Sequence, residues 1–268
     1  MHEAEGRAQT VTDPMDPARL AALHATLGRP GPVPELLPPF AHQIHFWQAS
    51  PPEGLGADGH PRTGAFIPDL GLPRRMWAGG RLMFHAPLRP GTPAERQTSI
   101  VRVARKQGRS GPLGFVTLCH EIFQDGTLCR TEEQDLVYRE AADPEAPPPL
   151  AIDAPLDETE AHVVSFDTTL LFRYSALTFN GHRIHYDTEY ARQAEGYPGL
   201  VVHGPLLAHL LMDLAEDRLG GLQTFKFRAT APLFHFETAE LCLRDRDSDL
   251  MLWVRAPDGR QCMVAEAM

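Results

Sequence analysis

Apolar and polar residues alternate along both halves of this chain, which is the pattern of strands with one buried face. The pattern predicts eight strands, four in each half, at residues 81–88, 98–105, 114–124, 127–140, 224–233, 237–244, 249–257 and 260–267. Asp125-Gly126 and Asp258-Gly259 each separate two of these runs, and Asp-Gly between alternating runs is a strong hairpin signal. We therefore expect an antiparallel sheet.

The two halves share an order of features that indicates an internal duplication. Each reads strand, Ala-Pro-Leu, strand, Asp-Gly turn and strand, and the two Asp-Gly turns lie about 133 positions apart, near half of the 268 residues. A segment rich in proline and alanine separates the halves. We interpret residues 1–145 as a first repeat, 146–158 as a linker and 159–268 as a second repeat.

One strong helical pattern stands out, over Pro205–Arg218. Its leucines lie on more than one face, which predicts a buried helix, and proline in the first turn with Gly220 beyond the end fits its limits. Shorter helices are expected over 17–27 and, after the N-cap Asp187, over 188–195. The first half has helix breakers over 51–73 instead. The fold class is therefore α+β, with sheet wrapped on a central helix.

Composition restricts the classes of function. The chain is 43% hydrophobic and 22% charged with a net charge of −10, which favours a globular protein and disfavours nucleic acid as a partner. Without an apolar run of 18 residues we expect no membrane span, and without a signal-peptide pattern we expect a cytoplasmic location. The four cysteines lack CxxC spacing and are expected to be reduced thiols.

The candidate chemistry lies between residues 174 and 211. Asn180 and His185 flank a glycine-containing turn that can bring both side chains to one point, and imidazole is a good proton shuttle near neutrality. Gly204 begins the buried helix, where unpartnered backbone N–H groups favour an oxyanion. His182 with His185 could instead hold a metal, but no third ligand follows at a usual spacing, so no metal site is expected.

These segments, which read TFNGHRIHYD, EYA and VVHGPL, resemble the MaoC-type, R-specific enoyl-thioester hydratases. Together with EGYPGLVVHGPL and LPRRMWAGGRL they resemble the group of mesaconyl-C4-CoA hydratases and type 2 hydroxyacyl-thioester dehydratases. The resemblance implies a double hot-dog fold, two antiparallel sheets on a central helix, with a degenerate first repeat covering the acyl and CoA pocket. It implies His185 as acid and base, Asn180 where the family usually has Asp, and the Gly204 N–H as oxyanion donor.

The resemblance also implies a reaction, the reversible addition of water to a 2,3-unsaturated acyl-CoA. The CoA is part of the substrate, and no further cofactor is expected. A short dicarboxylic acyl group, mesaconyl-C4 or itaconyl, would give citramalyl-CoA. A dehydratase for 3-hydroxyacyl-ACP or 3-hydroxyacyl-CoA of fatty acid metabolism, or a non-catalytic thioester-binding protein, remain the alternatives. A homodimer is expected by analogy.

A dicarboxylic substrate requires a cation for its free carboxylate, and bidentate arginine pairing would supply selectivity. The candidates for the carboxylate, or for CoA, are Arg74, Arg75, Arg173 and Arg183. A second group, expected to form one cluster for the CoA phosphates, consists of Arg102, Arg105, Lys106 and Arg109. Any one of these residues could instead be structural or belong to a solvated face.

Overall fold

The computed structural model of the protein describes residues 2–108, 111–141 and 150–268. Ten strands are found: β1 (Ala8–Asp13), β2 (Arg74–Phe84), β3 (Ala94–Gly108), β4 (Gly111–Gln124), β5 (Thr127–Arg139), β6 (Glu160–Ser165), β7 (Thr224–Ala229), β8 (Thr238–Asp245), β9 (Leu250–Arg255) and β10 (Gln261–Ala267). The α-helices are α1 (Pro17–Thr26), α2 (Thr168–Leu177), α3 (Thr188–Gln193) and α4 (Gly204–Leu219).

The strands form one antiparallel sheet in the order β1-β3-β4-β5-β2-β7-β10-β9-β8-β6. The second five strands repeat the connectivity of the first five in mirrored order, as a duplicated chain requires. The two predicted sheets are therefore joined edge to edge through β2 and β7. Residues 142–149 lie outside the described residues, so the boundary at 145 stays a prediction.

Glycines make the join between the halves possible. A Cβ on Gly79 would lie 2.5 Å from the carbonyl oxygen of Phe227, and one on Gly80 would lie 2.9 Å from the Phe227 ring. The β2–β5 register shifts between Trp77 and Gly79, which marks a bulge at this place. The same glycines interrupt the alternating pattern. This is why the sequence predicts β2 to begin only at Arg81, seven residues late.

Helix α4 lies where the sequence predicts it and provides the core of the second half. Leu206, Leu211 and Met212 are fully buried, and each buried side chain of this size contributes roughly 1.5–3 kcal/mol. The helix ends at Gly220, whose φ of 74° is the left-handed conformation that glycine adopts readily. Helices α1 and α3 also match their predicted positions, whereas α2, capped by Asp167, was not predicted.

An irregular segment replaces the central helix in the first half, as its helix breakers predict. Apart from α1 and two short 3-10 turns, residues 14–73 contain no helix. The segment instead buries Phe40, whose ring lies 5.8 Å from that of His209 on α4 and 6.2 Å from that of Phe227 on β7. The two halves therefore share one core. Among the described residues, no helix combines the length and apolar character that a bilayer crossing requires.

Candidate active site

A tight turn after α2 positions the residues that the sequence singles out. Phe179 has a φ of 51°, and the Asn180 N–H donates to the carbonyl oxygen of Ser175 at 2.8 Å. The Asn180 Oδ1 then accepts the His182 N–H at 3.0 Å, which is an Asx-type turn. The amide nitrogen of Asn180 donates to no group among the described residues. The turn therefore presents an amide donor close to a histidine-rich segment.

His185 is buried and held in one tautomer. Its Nδ1 lies 2.7 Å from the carbonyl oxygen of Val201, and a carbonyl can only accept, so Nδ1 carries the proton. In the neutral ring Nε2 is then a free base, which is the state a proton acceptor needs. Burial lowers the pKa of His185 to about 4, so the ring is neutral at physiological pH.

The ring of His203 stacks on the ring of His185. The two rings stack with centroids 3.7 Å apart and planes 19° apart, and His203 is fully buried. Ser175 Oγ lies 2.8 Å from Nε2 of His203 and orients that ring. Burial also lowers the pKa of His203 well below its usual range. His185 is thus fixed by its hydrogen bond and by this stacked ring, a role for Ser175 and His203 that the sequence did not suggest.

Gly204 begins α4 without a side-chain cap, because the N-cap His203 makes no capping hydrogen bond. The Gly204 N–H donates to no acceptor among the described residues. A Cβ at this position would meet only the Trp77 carbonyl oxygen, at 3.9 Å. The N–H at the positive end of the helix dipole is therefore open to an oxyanion. The sequence-predicted trio of Asn180, His185 and Gly204 thus lies on two adjoining segments linked through Val201.

A loop of the first half also reaches this site, which the sequence did not predict. The Arg183 N–H donates to the carbonyl oxygen of Asp58 at 2.9 Å, and the His60 ring lies 4.4 Å from the His182 ring. His60 Nδ1 lies 3.0 Å from Asp58 Oδ2. The signal present in the sequence is an Asp and a His within segment 51–73, whose glycines and prolines otherwise predict only the absence of a helix.

Asp58, His60 and His182 also form a group that could hold a metal ion. One ligating atom of each lies within 4.8 Å of the other two. The sequence suggests a different pair of possible ligands, His182 and His185, whose ring centroids are 5.4 Å apart. If a metal binds here, its ligands therefore include two residues of the first half.

The four carboxylate candidates differ in their surroundings. Arg74 pairs with Glu195 at 2.6 Å, and Arg173 on α2 is exposed. Arg183 is engaged with Asp187 at 2.7 Å. Arg75 is half-buried, has no hydrogen-bond or ion-pair partner among the described residues, and its charge lowers the pKa of His60 and His182. Of the four, Arg75 is the cation left available beside the histidines.

The expected phosphate cluster does not form a single group. Arg102 and Lys106 line an open groove of about 340 Å³ on one face of the sheet, together with Arg81, Lys226 and Arg228. Arg105 projects to the other face and donates to the carbonyl oxygen of Leu70 at 2.9 Å. Side chains alternate between the faces of a strand, so neighbours in sequence separate. Arg109 lies outside the described residues.

Comparison with known proteins identifies the family. The family model described as hydroxyacyl-thioester dehydratase type 2 matches residues 40–235. The chain belongs to this family. It is also 46% identical over 265 residues to a Chloroflexus aurantiacus protein named mesaconyl-C(4)-CoA hydratase, covering 97% of this chain and 94% of that protein. The chain is accordingly a hydro-lyase, as the resemblance implied.

Solved structures of distant relatives show the same fold. A MaoC-like dehydratase of Phytophthora capsici superposes with a TM-score of 0.74 at 13% identity, covering 99% of this chain and 95% of that one. A Mycobacterium tuberculosis protein described as having a double hot-dog fold superposes with a TM-score of 0.59 at 16% identity, covering 98% and 95%. The expected double hot-dog fold is confirmed, and the matched family region includes both the Asp58 loop and the His185 turn.

Proposed function

We propose that this protein catalyses the reversible hydration of a short dicarboxylic 2,3-unsaturated acyl-CoA, with mesaconyl-C4-CoA giving citramalyl-CoA. The observation that carries the reaction is the fixed tautomer of His185. Its Nδ1–H donates to the carbonyl oxygen of Val201, so Nε2 of the neutral ring can accept a proton. The name of the 46% identical relative supports the substrate. No resident cofactor enters the proposed chemistry.

The proposed reaction proceeds by syn addition. Water held by the amide of Asn180 attacks the β carbon while His185 Nε2 accepts its proton. The π pair of the double bond forms a new double bond between the α carbon and the thioester carbon, and the carbonyl π pair moves onto the thioester oxygen, where the Gly204 N–H stabilises the enolate. Such a donor lowers the activation barrier by roughly 3–4 kcal/mol. The proton on His185 then passes to the α carbon, which completes the product and restores the neutral ring.

Arg75 supports the proposed dicarboxylic substrate. A half-buried guanidinium without a partner among the described residues is costly unless an anion meets it in the working complex. The free carboxylate of a mesaconyl group is such an anion and pairs well with arginine. Itaconyl-CoA is a second proposed substrate; its hydration first requires proton transfer to move the double bond into conjugation.

The experiment is steady-state turnover of mesaconyl-C4-CoA, itaconyl-CoA and crotonyl-CoA by the purified protein, with His185→Ala as the blank. We expect the dicarboxylic thioesters to be preferred by a hundredfold or more in kcat/KM, and the blank to be inactive. Preference for crotonyl-CoA or longer monoacyl groups would replace the proposal by a general hydroxyacyl-thioester dehydratase. A fully active His185→Ala variant would exclude the proposed mechanism.

A further inference from the structure

A turn of the first half and a turn of the second half bring three side chains with metal-ligating atoms together. Asp58 and His60 lie on the turn of residues 56–60, in which the Gly56 N–H donates to the carbonyl oxygen of His60 at 2.7 Å. His182 lies on the turn that follows α2. One carboxylate oxygen and one nitrogen of each imidazole all lie within 4.8 Å of one another. The three ligand atoms therefore surround a common point between the two repeats.

We propose that Asp58, His60 and His182 bind a divalent transition-metal ion, of which Zn²⁺ is the representative. The ion takes no part in the proposed hydration, and its binding does not depend on that reaction. It joins the Asp58 loop of the first half to the turn that carries His185, so it holds the two repeats together beside the active site. The sequence alone predicts no such site, because Asp58 and His60 lie far from His182 in the chain.

The spacing of Asp58 and His60 suits two ligands of one ion. Asp58 Oδ2 lies 3.0 Å from His60 Nδ1. Two ligands about 2.0–2.1 Å from a tetrahedral Zn²⁺ ion lie about 3.3 Å apart, so this pair is already near the required distance. A nitrogen of His182 lies within 4.8 Å of its two partners, so a side-chain shift of roughly 1–2 Å completes the set. Binding through Nδ1 moves the proton of the neutral His60 ring to Nε2.

His182 is buried without a hydrogen bond from its ring. Its side chain lies in a residue that is 8% exposed, and neither ring nitrogen has a partner among the described residues. Burial of a polar group costs free energy unless a partner replaces the lost water. A metal ion would supply that partner. The neighbouring His185 is not a ligand, because its Nδ1 donates to Val201 and it lies outside the group of three.

The chemistry of the ligands selects the class of ion. Two imidazole nitrogens with one carboxylate oxygen suit ions such as Zn²⁺, Ni²⁺ and Fe²⁺. Mg²⁺ and Ca²⁺ prefer sites built from oxygen atoms. Three protein ligands leave one position of a tetrahedral ion for water. We therefore expect Zn²⁺ to bind and Mg²⁺ to bind far more weakly.

One neighbouring cation opposes the proposed ion. The Arg75 guanidinium is close enough to lower the pKa of both His60 and His182. Its positive charge would also repel a divalent ion held by the same two rings. Arg75→Gln should therefore tighten Zn²⁺ binding by about threefold or more. An affinity equal to or weaker than that of wild type would overturn the placement of the ion at these rings.

The main test is isothermal titration calorimetry of the full chain with Zn²⁺, after EDTA treatment and dialysis into metal-free buffer. We expect one ion per chain with a Kd below about 10 µM, and a Kd for Mg²⁺ at least about 100-fold higher. Asp58→Asn, which can keep the Oδ1 hydrogen bond to the His60 N–H, and His182→Gln are the variants. Each should weaken Zn²⁺ binding at least about tenfold, since loss of a group that only orients a ligand already costs that much.

Two outcomes of the calorimetry would overturn the proposal. One is a Kd of wild type for Zn²⁺ above the expected limit, and the other is an unchanged affinity in either variant. The matched control is the carboxylate–imidazole pair of the edge strand β6, Glu160 and His162, which are 2.5 Å apart and half-exposed. Glu160→Gln and His162→Gln should leave the affinity for Zn²⁺ unchanged.

The four cysteines are the other side chains that could bind Zn²⁺, and Co²⁺ distinguishes them from the proposed ligands. Cys119 is half-buried and the other three are buried. Co²⁺ bound to nitrogen and oxygen atoms gives no thiolate charge-transfer absorption. Appearance of that absorption when Co²⁺ replaces Zn²⁺ would place the ion on a cysteine and overturn the proposal.

The ¹⁵N NMR signals of the histidine rings locate the ion without any variant. In the metal-free protein His60 should carry its proton on Nδ1, and Zn²⁺ should move that proton to Nε2 while the His182 signals shift at the same stoichiometry. Unchanged signals of both rings would overturn the proposal. No thioester is present in these measurements. Failure of wild type to hydrate any thioester would therefore reject the proposed function alone.

Discussion

Gly59 and Gly181 pass so closely that neither position has room for a side chain. A Cβ on Gly59 would lie 2.0 Å from the carbonyl oxygen of Gly181, and a Cβ on Gly181 would lie 2.6 Å from that of Gly59. Backbone atoms cannot move aside as the end of a flexible side chain can. This contact docks the Asp58 loop of the first half on the turn that carries His185.

Replacing Gly59 with Ala should therefore separate the two segments. Gly59 also has a φ of 87°, a left-handed conformation that costs an alanine about 1–2 kcal/mol. The added clash should make the loss of stability larger and lower kcat together with the melting temperature. Urea unfolding and thioester turnover on the same preparation would measure both effects.

Two alanine controls separate the causes of that loss. Gly31 has a φ of 77°, and no described atom lies within 4 Å of the place a Cβ would occupy, so Gly31→Ala reports the conformational cost alone. Gly54 has ordinary contacts of 3.6 Å or more and no positive φ, so Gly54→Ala should be nearly neutral. Equal losses for Gly59→Ala and Gly31→Ala would show that the contact with Gly181 does not matter.

Arg75→Gln should change the substrate selectivity of the enzyme. Loss of a charge-assisted hydrogen bond costs about 1.5–3 kcal/mol, so kcat/KM for mesaconyl-C4-CoA should fall about 10- to 100-fold. The fall for crotonyl-CoA, which has no free carboxylate, should be much smaller. Arg173→Gln, at an exposed position on α2, is the matched control and should change neither value. Equal losses on both substrates would reject Arg75 as the carboxylate ligand.

Glu132→Gln should destabilise the first half. Glu132 is 1% exposed and accepts hydrogen bonds from Gln43 at 2.8 Å and Gln134 at 3.0 Å, and it also contacts His42 Nε2 at 2.7 Å. An amide would place its NH₂ group against these donors, and loss of a buried charged partner costs about 3–5 kcal/mol. The free energy of unfolding in urea would measure this loss.

The neighbouring residue on β5 is the control for Glu132. The Glu133 side chain is 36% exposed and pairs with Arg81 on the outer face, so Glu133→Gln should cost less than about 1 kcal/mol. A comparable loss for both variants would show that the buried hydrogen bonds of Glu132 carry no special stability.

Stability should fall as the pH is lowered from 7 towards 4. Burial lowers the pKa of His120 and His185 to about 4 and that of His209 to about 3, against 6.5 for an unperturbed histidine. Below pH 6.5 the unfolded chain therefore binds protons that the folded chain does not, and stability is lost. Each such histidine contributes up to about 1.4 kcal/mol per pH unit. Urea unfolding at pH 7, 6 and 5 would measure the slope.

A histidine variant tests the origin of that slope. His209 Nδ1 is buried and has no hydrogen-bond partner among the described residues, so His209→Leu should cause no large loss of stability at pH 7. The variant should reduce the slope of the unfolding free energy against pH by the contribution of one histidine. A free energy of unfolding that stays constant between pH 7 and pH 5 would contradict the prediction.

Local patterns explain why much of the fold could be predicted. Alternation locates eight strands, and the leucines of α4 with Gly220 fix the central helix, because each signal depends on residues only a few positions apart. Strands β1 and β6 and helix α2 are not predicted because short elements that are largely exposed carry weak periodicity. The start of β2 was missed because Gly79 and Gly80 serve a contact with β7 rather than the strand itself.

The sequence by itself determined the double hot-dog family and the trio of Asn180, His185 and Gly204 as candidate residues, since these are encoded in contiguous segments. Only the tertiary structure decided that Arg75, rather than Arg183, is left without a partner among the described residues, and that the Asp58 loop joins the site. Arg183 binds the carbonyl oxygen of Ala57 across 126 positions of sequence. Such contacts depend on how the two halves pack, which no local spacing records.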